Sequence, residues 1–200
     1  MSKAVLISIR PEWCEKIANG AKTIEVRKTR PKIEAPFRCY IYCTMPKTKD
    51  PHQVLEIHGV DGKIRKANGK IIGEFVCDSI ETYPRRITRF EKTQTGSFVS
   101  DEEISKTCLS VAGLNDYLMG HPAYFWHISA LYIYDKPREL SEFAPVCKFK
   151  QDDGTCPTRL VACSYQNCDY NQDGSINLVE CGRRITRPPQ SWCYVEEAET

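Results

Sequence analysis

Three charged side chains of alternating sign, Lys22, Glu25 and Arg27, fall within six residues directly after Gly20. Arg10 ends an apolar run at a place that would bring another cation to the same rim. Two readings of this group are open. In the first, Glu25 pairs with Arg27 or Lys28 on a solvated strand face, a contact worth about 0–1 kcal/mol. In the second, Arg10, Lys22 and Arg27 make a fork for a phosphate or a base edge, and Glu25 holds one guanidinium extended. A catalytic use would make Lys22 the base or nucleophile, with Glu25 beside it. That role needs a neutral amine, whereas a neighbouring carboxylate favours the charged ammonium.

A second chemical signal lies near the C-terminus. Six of the eleven cysteines fall between Cys147 and Cys193, and Cys147, Cys156, Cys163, Cys168 and Cys181 are separated by 9, 7, 5 and 13 residues. No spacing is the close pair of a zinc knuckle. Even so, four of these five thiolates would suit a structural zinc in a segment with little apolar content for a core. The overlapping string DYNQDGSINLVE fits a calcium loop instead: Asp169, Asn171, Asp173 and Ser175 at odd positions, Gly174 for the turn, and Glu180 as the bidentate end. Pro188 and Pro189 cut short any helix leaving this loop, and a single unpaired loop should bind calcium weakly, so zinc ranks ahead of calcium. Nothing in the chain calls for an organic cofactor.

Aromatic residues matter if the ligand is a base. Tyr40, Tyr42, Tyr124, Phe125 and Trp126 lie in expected strands, where most should be core and a ring at a cleft could stack on a splayed base. His127 is read as a buried, satisfied histidine or a cleft donor. Trp13 has the same double reading, and its helical spacing with Ile17 favours packing.

The elements that must position these groups follow from periodicity. Ala4 to Arg10 reads as a strand running into Pro11, then a short helix carrying Trp13, Cys14, Ile17 and Ala18 on one face and stopped by Gly20. Thr23 to Lys28 alternates, with Ile24 and Val26 facing the core and Glu25 and Arg27 a polar face. Strands are expected at Arg38 to Thr44, Lys70 to Asp78 and Ala123 to Tyr134, a hairpin between the first two, and a helix from Val111 to Met119 capped by Ser110. The segment PPQSWCYVEE returns to strand character and is expected to close a barrel. The fold class is α+β: a small, mostly antiparallel barrel with short covering helices. Residues 1–146 form the barrel, 147–187 a Cys-rich insertion that could bind metal, and 188–200 the closing strand and tail.

The strings SIRPEWCEKIANGAKTIEVRKTRP, GKIIGEFVCDSI and AYFWHISALYIYD together resemble an ASCH domain of the PUA-like superfamily. The likeness runs over about residues 4–146, and G-x-K-T-x-E-x-R, from Gly20 to Arg27, is its most specific part. It implies a PUA-like β-barrel whose cleft, between the strand after the first helix and the helical cover, takes RNA or a nucleotide-like ligand. Arg10, Trp13, Lys22, Glu25 and Arg27 would be the ligand contacts. Some relatives are amidohydrolases on acetylated cytidine or ribonucleases, which keeps an enzymatic alternative open. The hydroxyl position of the amidohydrolase pattern, however, holds Glu25.

Charge distribution agrees with an anionic partner. Lys and Arg number 28 against 26 Asp and Glu over the chain, but residues 1–38 hold nine basic and four acidic residues, or +5. The C-terminal 54 residues hold six basic and eight acidic, or −2, so an anion should dock at the N-terminal end. With 41% hydrophobic residues the chain is globular rather than disordered. No apolar run approaches the ~18–20 residues of a bilayer helix, so neither a membrane partner nor a signal peptide is expected. Cysteines without a secretory signal point to free thiols and a cytoplasmic protein.

Overall fold

A computed structural model of the chain describes residues 3–46, 54–83, 87, 99–147, 155–157, 178–180 and 183–198. Strands β1 (Lys3–Ile9), β2 (Ile24–Arg27), β3 (Phe37–Cys43), β6 (Ile71–Tyr83), β7 (Ala123–Arg138) and β10 (Trp192–Glu196) form one six-stranded sheet in the order β10-β1-β3-β6-β7-β2. Only β1 and β3 pair in parallel; helix α1 (Pro11–Ala18) and β2 make the crossover between them. Helices α2 (Asp101–Thr107) and α3 (Val111–Leu118) complete the described α-helices, and a 3-10 turn covers Leu140–Glu142. Two small hairpins stand apart: β4 (Glu56–His58) with β5 (Ile64–Lys66), and β8 (Thr155–Pro157) with β9 (Leu178–Glu180).

Strand alternation distributes the core over both sheet faces. Val5, Ile7, Cys39, Ile41, Phe75 and Trp126 line one face and pack against Cys14 and Ile17 of α1. On the other face, Ile24, Val26 and Phe125 meet Ile104, Leu114 and Leu118 of α2 and α3. Farther along that face, Leu6, Tyr40 and Tyr134 are covered by Phe143 and Ile185. All four residues of β2 are therefore buried, including the polar face of Glu25 and Arg27.

The sheet does not close into a barrel. The last strand, expected to close one, pairs antiparallel with β1 and becomes an edge, while β2 is the opposite edge. The reason lies in β2 itself: it is four residues long, and its main-chain pairing is with β7. Side chains span the seam instead. Trp192 Nε1 donates to Thr29 Oγ1 at 3.0 Å, and the Lys32 amide donates to the Tyr194 hydroxyl at 2.6 Å.

Helix α2 carries few apolar residues and is not apparent from periodicity. Its mark is Ser100 with Glu103, a reciprocal capping box in which the Glu103 amide donates to Ser100 Oγ at 3.1 Å and Glu103 Oε2 accepts from the Ser100 amide at 2.7 Å.

Gly73 fixes how closely β6 and β7 approach, since a Cβ there would stand 2.3 Å from the Tyr132 carbonyl oxygen and 3.0 Å from Ile133 Cα. Backbone cannot step aside as a side chain can. Gly73→Ala is expected to cost about 1–3 kcal/mol through forced strand separation, read from urea midpoints. An unchanged midpoint would contradict that close approach.

Candidate functional site

Chain order explains why the charged group assembles. Gly20, at φ 78°, reverses the chain after α1, and the Lys22 amide donates back to the Lys16 carbonyl at 2.8 Å. Lys22 then enters under α2, and Glu25 and Arg27 follow two residues apart on one face of β2. That face is the one carrying Trp126, because Glu25 pairs with Trp126 and Arg27 with Tyr124 across the β2–β7 ladder.

Lys22, Glu25 and Arg27 are 3%, 6% and 7% exposed, so the three converge in a buried cluster. Glu25 bridges the cations, with Oε2 3.3 Å from Lys22 Nζ and Oε1 3.0 Å from an Arg27 terminal nitrogen. Lys22 Nζ also donates to the Ile24 and Thr107 carbonyls, both at 2.8 Å, so its three ammonium protons have three acceptors. Its charge also lies 5.3 Å from the centre of the Trp13 ring. Arg27 reaches across the seam, donating to the Ser8 carbonyl at 2.7 Å and to Ser191 Oγ at 3.4 Å.

Arg10 does not join them. It is the N-cap residue of α1, its side chain is 70% exposed, and Glu12 is its ion-pair partner at 4.0 Å. The helix start turns the side chain outward, away from the buried group. Trp13 is half-buried against the core with Lys16 as well as Lys22 over its ring.

Sequence reasoning missed Tyr117 and Ser191. Tyr117 of α3 is half-exposed with Lys28 Nζ 5.2 Å from its ring centre. Burial raises the pKa of its hydroxyl, with Arg27 and Arg10 pulling it down and Glu25 pushing it up, which puts Tyr117 within electrostatic reach of the cluster. Its only sequence signal was a place in an apolar stripe. Ser191, 164 residues from Arg27, left none.

Of the aromatic candidates, Tyr40, Tyr42, Phe125 and Trp126 are core, and Tyr124 is half-buried. His127 Nε2 lies 3.8 Å from Glu81. Cys14 is a packing group: burial, with Cys43 beside it, pushes its thiol well up. Three buried side-chain nitrogens have no hydrogen-bond partner among the described residues, Arg27 Nε, Trp126 Nε1 and His127 Nε2, so His127 is not the satisfied histidine of the first reading.

The metal candidates fall mainly outside the described residues. Cys163, Cys168, Cys181, Asp169, Asn171, Asp173 and Ser175 lie there entirely, while Cys156 and Glu180 are placed by backbone in β8 and β9. Pro157 is in β8. Cys147 is a free, half-buried thiol. Among the described residues no His, Cys, Asp or Glu cluster of three could hold a metal, and no helix is long and apolar enough to cross a membrane.

A groove of about 610 Å³ lies elsewhere, lined by Asp61, Arg65, Tyr132, Tyr134, Lys136 and Arg138. Arg65 pairs with Asp61 and Arg138 with Glu142, so two of its cations are already neutralised.

Glu103 shows how hydrogen bonding can overrule burial. Burial pushes its carboxyl up, but donors at Ser100 and Tyr83 hold it at about 2 against an ordinary 4.5. A depressed pKa means that this stabilisation is complete above about 4.5 and is lost as pH falls through about 2. Glu103→Gln is expected to flatten that acid limb of the stability curve, measured by urea unfolding at several pH values. An equally steep limb would contradict it.

With this geometry in view, the family follows from comparison: the ASCH domain matches residues 7–117, more than half of the chain, and the protein belongs to that family. ASCH domains are generally associated with RNA binding. Among solved structures the chain is similar to the ASCH protein of Zymomonas mobilis, at 20% identity over 68% of this chain and 73% of that one, with a TM-score of 0.47. A mutant form of the same Zymomonas mobilis protein matches at 19% identity over 70% and 77%, with a TM-score of 0.44. No curated protein sequence matches the chain.

Proposed function

We propose that the protein binds RNA or a nucleotide-like ligand at the seam between β2 and β10, with Arg27 as the central contact, Lys22 as a supporting charge and Glu25 as organiser. The observation that carries this reading is the buried imbalance of the cluster: two cations and one carboxylate, all under 10% exposed. A net positive charge removed from water is costly unless something offsets it. A phosphate group supplies that offset, and it is the group common to RNA and nucleotides. Arg10, Arg30 and Lys32 add an exposed cationic approach on the same N-terminal stretch, with Lys28 half-buried among them. Trp13 and Tyr117 offer partly exposed rings near the cluster for a base.

Among the described residues, the contacts of Lys22 speak against the hydrolytic alternative. Lys22 spends its three protons on two carbonyls and Glu25, the pattern of a positioned cation rather than of a free amine.

The test is a salt titration of the protein with a fluorescently labelled single-stranded RNA. Binding is expected to weaken steeply as salt rises, with a log–log slope that grows with the number of phosphates contacted. A flat response would sink the phosphate reading.

A further inference from the structure

We infer that Arg27 Nε–H and Trp126 Nε1–H together form an oxyanion subsite for one phosphate group inside the β2–β10 seam. This rests on the reading above and adds which atoms hold the phosphate.

Both groups are buried and lack an acceptor among the described residues. The Arg27 side chain is only 9% exposed, and Trp126 is fully buried. A buried donor without a partner is costly, and two in one place are unusual in a settled core.

Three observations put the two donors together. Trp126 lies directly opposite Glu25 in the β2–β7 ladder, so its ring shares a sheet face with Glu25 and Arg27. Glu25 in turn holds Arg27 at 3.0 Å. The start of β10 lies beside both side chains: Ser191 accepts from a terminal nitrogen of Arg27, and the Trp192 ring centre lies 6.3 Å from that of Trp126.

The chemistry of the pair selects its guest. Guanidinium and indole N–H groups only donate, so they fit an oxygen with lone pairs and reject a donor such as an exocyclic amine. The surplus buried cation favours that oxygen being anionic. Entry does not require breaking a strand ladder, because the seam is spanned by hydrogen bonds to side chains, which break one at a time.

The experiment uses the full chain. Its three tryptophans give three indole N–H signals in a nitrogen–proton spectrum, and Trp126→Phe, which keeps a ring but removes the N–H, assigns one of them. Inorganic phosphate, uridine monophosphate, the diester uridylyl-uridine and plain uridine are added separately. The Trp126 signal is expected to move with phosphate-bearing probes and to stay still with uridine. A response to the diester alone points to an RNA strand as the source, and one to uridine monophosphate but not the diester points to a free nucleotide; either supports the subsite. In calorimetry, Trp126→Phe is expected to weaken phosphate-probe binding about tenfold.

If uridine alone moves the signal, the acceptor is a base carbonyl and the oxyanion assignment is overturned. If RNA binds with normal salt dependence while the Trp126 signal stays fixed, this subsite is overturned and the broader reading stands. If no probe and no RNA binds, both fall. Should Trp126→Phe fail to fold, Trp13→Phe and Trp192→Phe assign their own signals and leave that of Trp126 by elimination, so the wild-type spectra still decide; a change in the Trp192 signal alone, whose indole already donates to Thr29, would count against the subsite.

Discussion

Glu25→Ala is expected to destabilise the protein by about 3–5 kcal/mol, because removing one partner of a buried ion pair leaves the opposing charge uncompensated. Two cations depend on this carboxylate. Lys22 would keep its carbonyl acceptors at Ile24 and Thr107, and Arg27 would keep Ser8, but neither contact neutralises charge. For a chain of this size the loss corresponds to a fall in Tm of roughly 10 °C, measurable by calorimetry or urea unfolding. The converse experiment is as informative. Replacing all three with apolar residues, as in Lys22→Met with Glu25→Leu and Arg27→Met, removes every charge at once and should cost far less, since buried ion groups commonly exchange for hydrophobic ones at little net cost. If the triple variant folds and no longer binds RNA, the cluster is maintained for its ligand and not for the fold. A single Glu25→Ala variant as stable as the parent would contradict the buried geometry.

Arg27→Ala is expected to weaken RNA binding by about 10- to 100-fold, the range that loss of a charge-assisted hydrogen bond from a desolvated site implies. Arg27 also ties β2 to β1 and β10 through Ser8 and Ser191, so part of any loss could come from a displaced edge. Arg27→Lys separates these causes. It keeps the charge and loses the planar fork, and binding should fall nearly as far while the urea midpoint moves less. Arg10→Ala serves as the contrast: an exposed rim cation should lower affinity modestly and reduce the salt slope by about one. Equal effects at positions 10 and 27 would mean that only diffuse surface charge matters.

What could be read from the sequence was local. Lys22, Glu25 and Arg27 lie within six residues, on a short strand after a glycine stop, and their neighbourhood was legible for that reason. Of the two readings left open, the solvated strand face does not hold, because β2 is covered on one side by α2 and α3 and the Glu25 side is enclosed by Trp13 and the seam. Barrel closure was misjudged for a similar reason: strand character in Trp192–Glu196 is visible, but its choice of β1 over β2 as neighbour is a long-range pairing. Arg10 went astray through a local detail, since the N-cap position before Pro11 directs its side chain to solvent. Helix α2 could have been found from Ser100 and Glu103 alone, as the capping box sits plainly in SDEE. Ser191 and Trp126 owe their places in the seam to the fold and to nothing in their own flanking residues.

The most direct test of the account is a crystal structure of the protein soaked with uridine monophosphate or a short RNA. The account expects phosphate density in the β2–β10 seam, within hydrogen-bond distance of Arg27. Phosphate density confined to the groove beside Tyr132 and Lys136, with Arg27 unchanged, would contradict it.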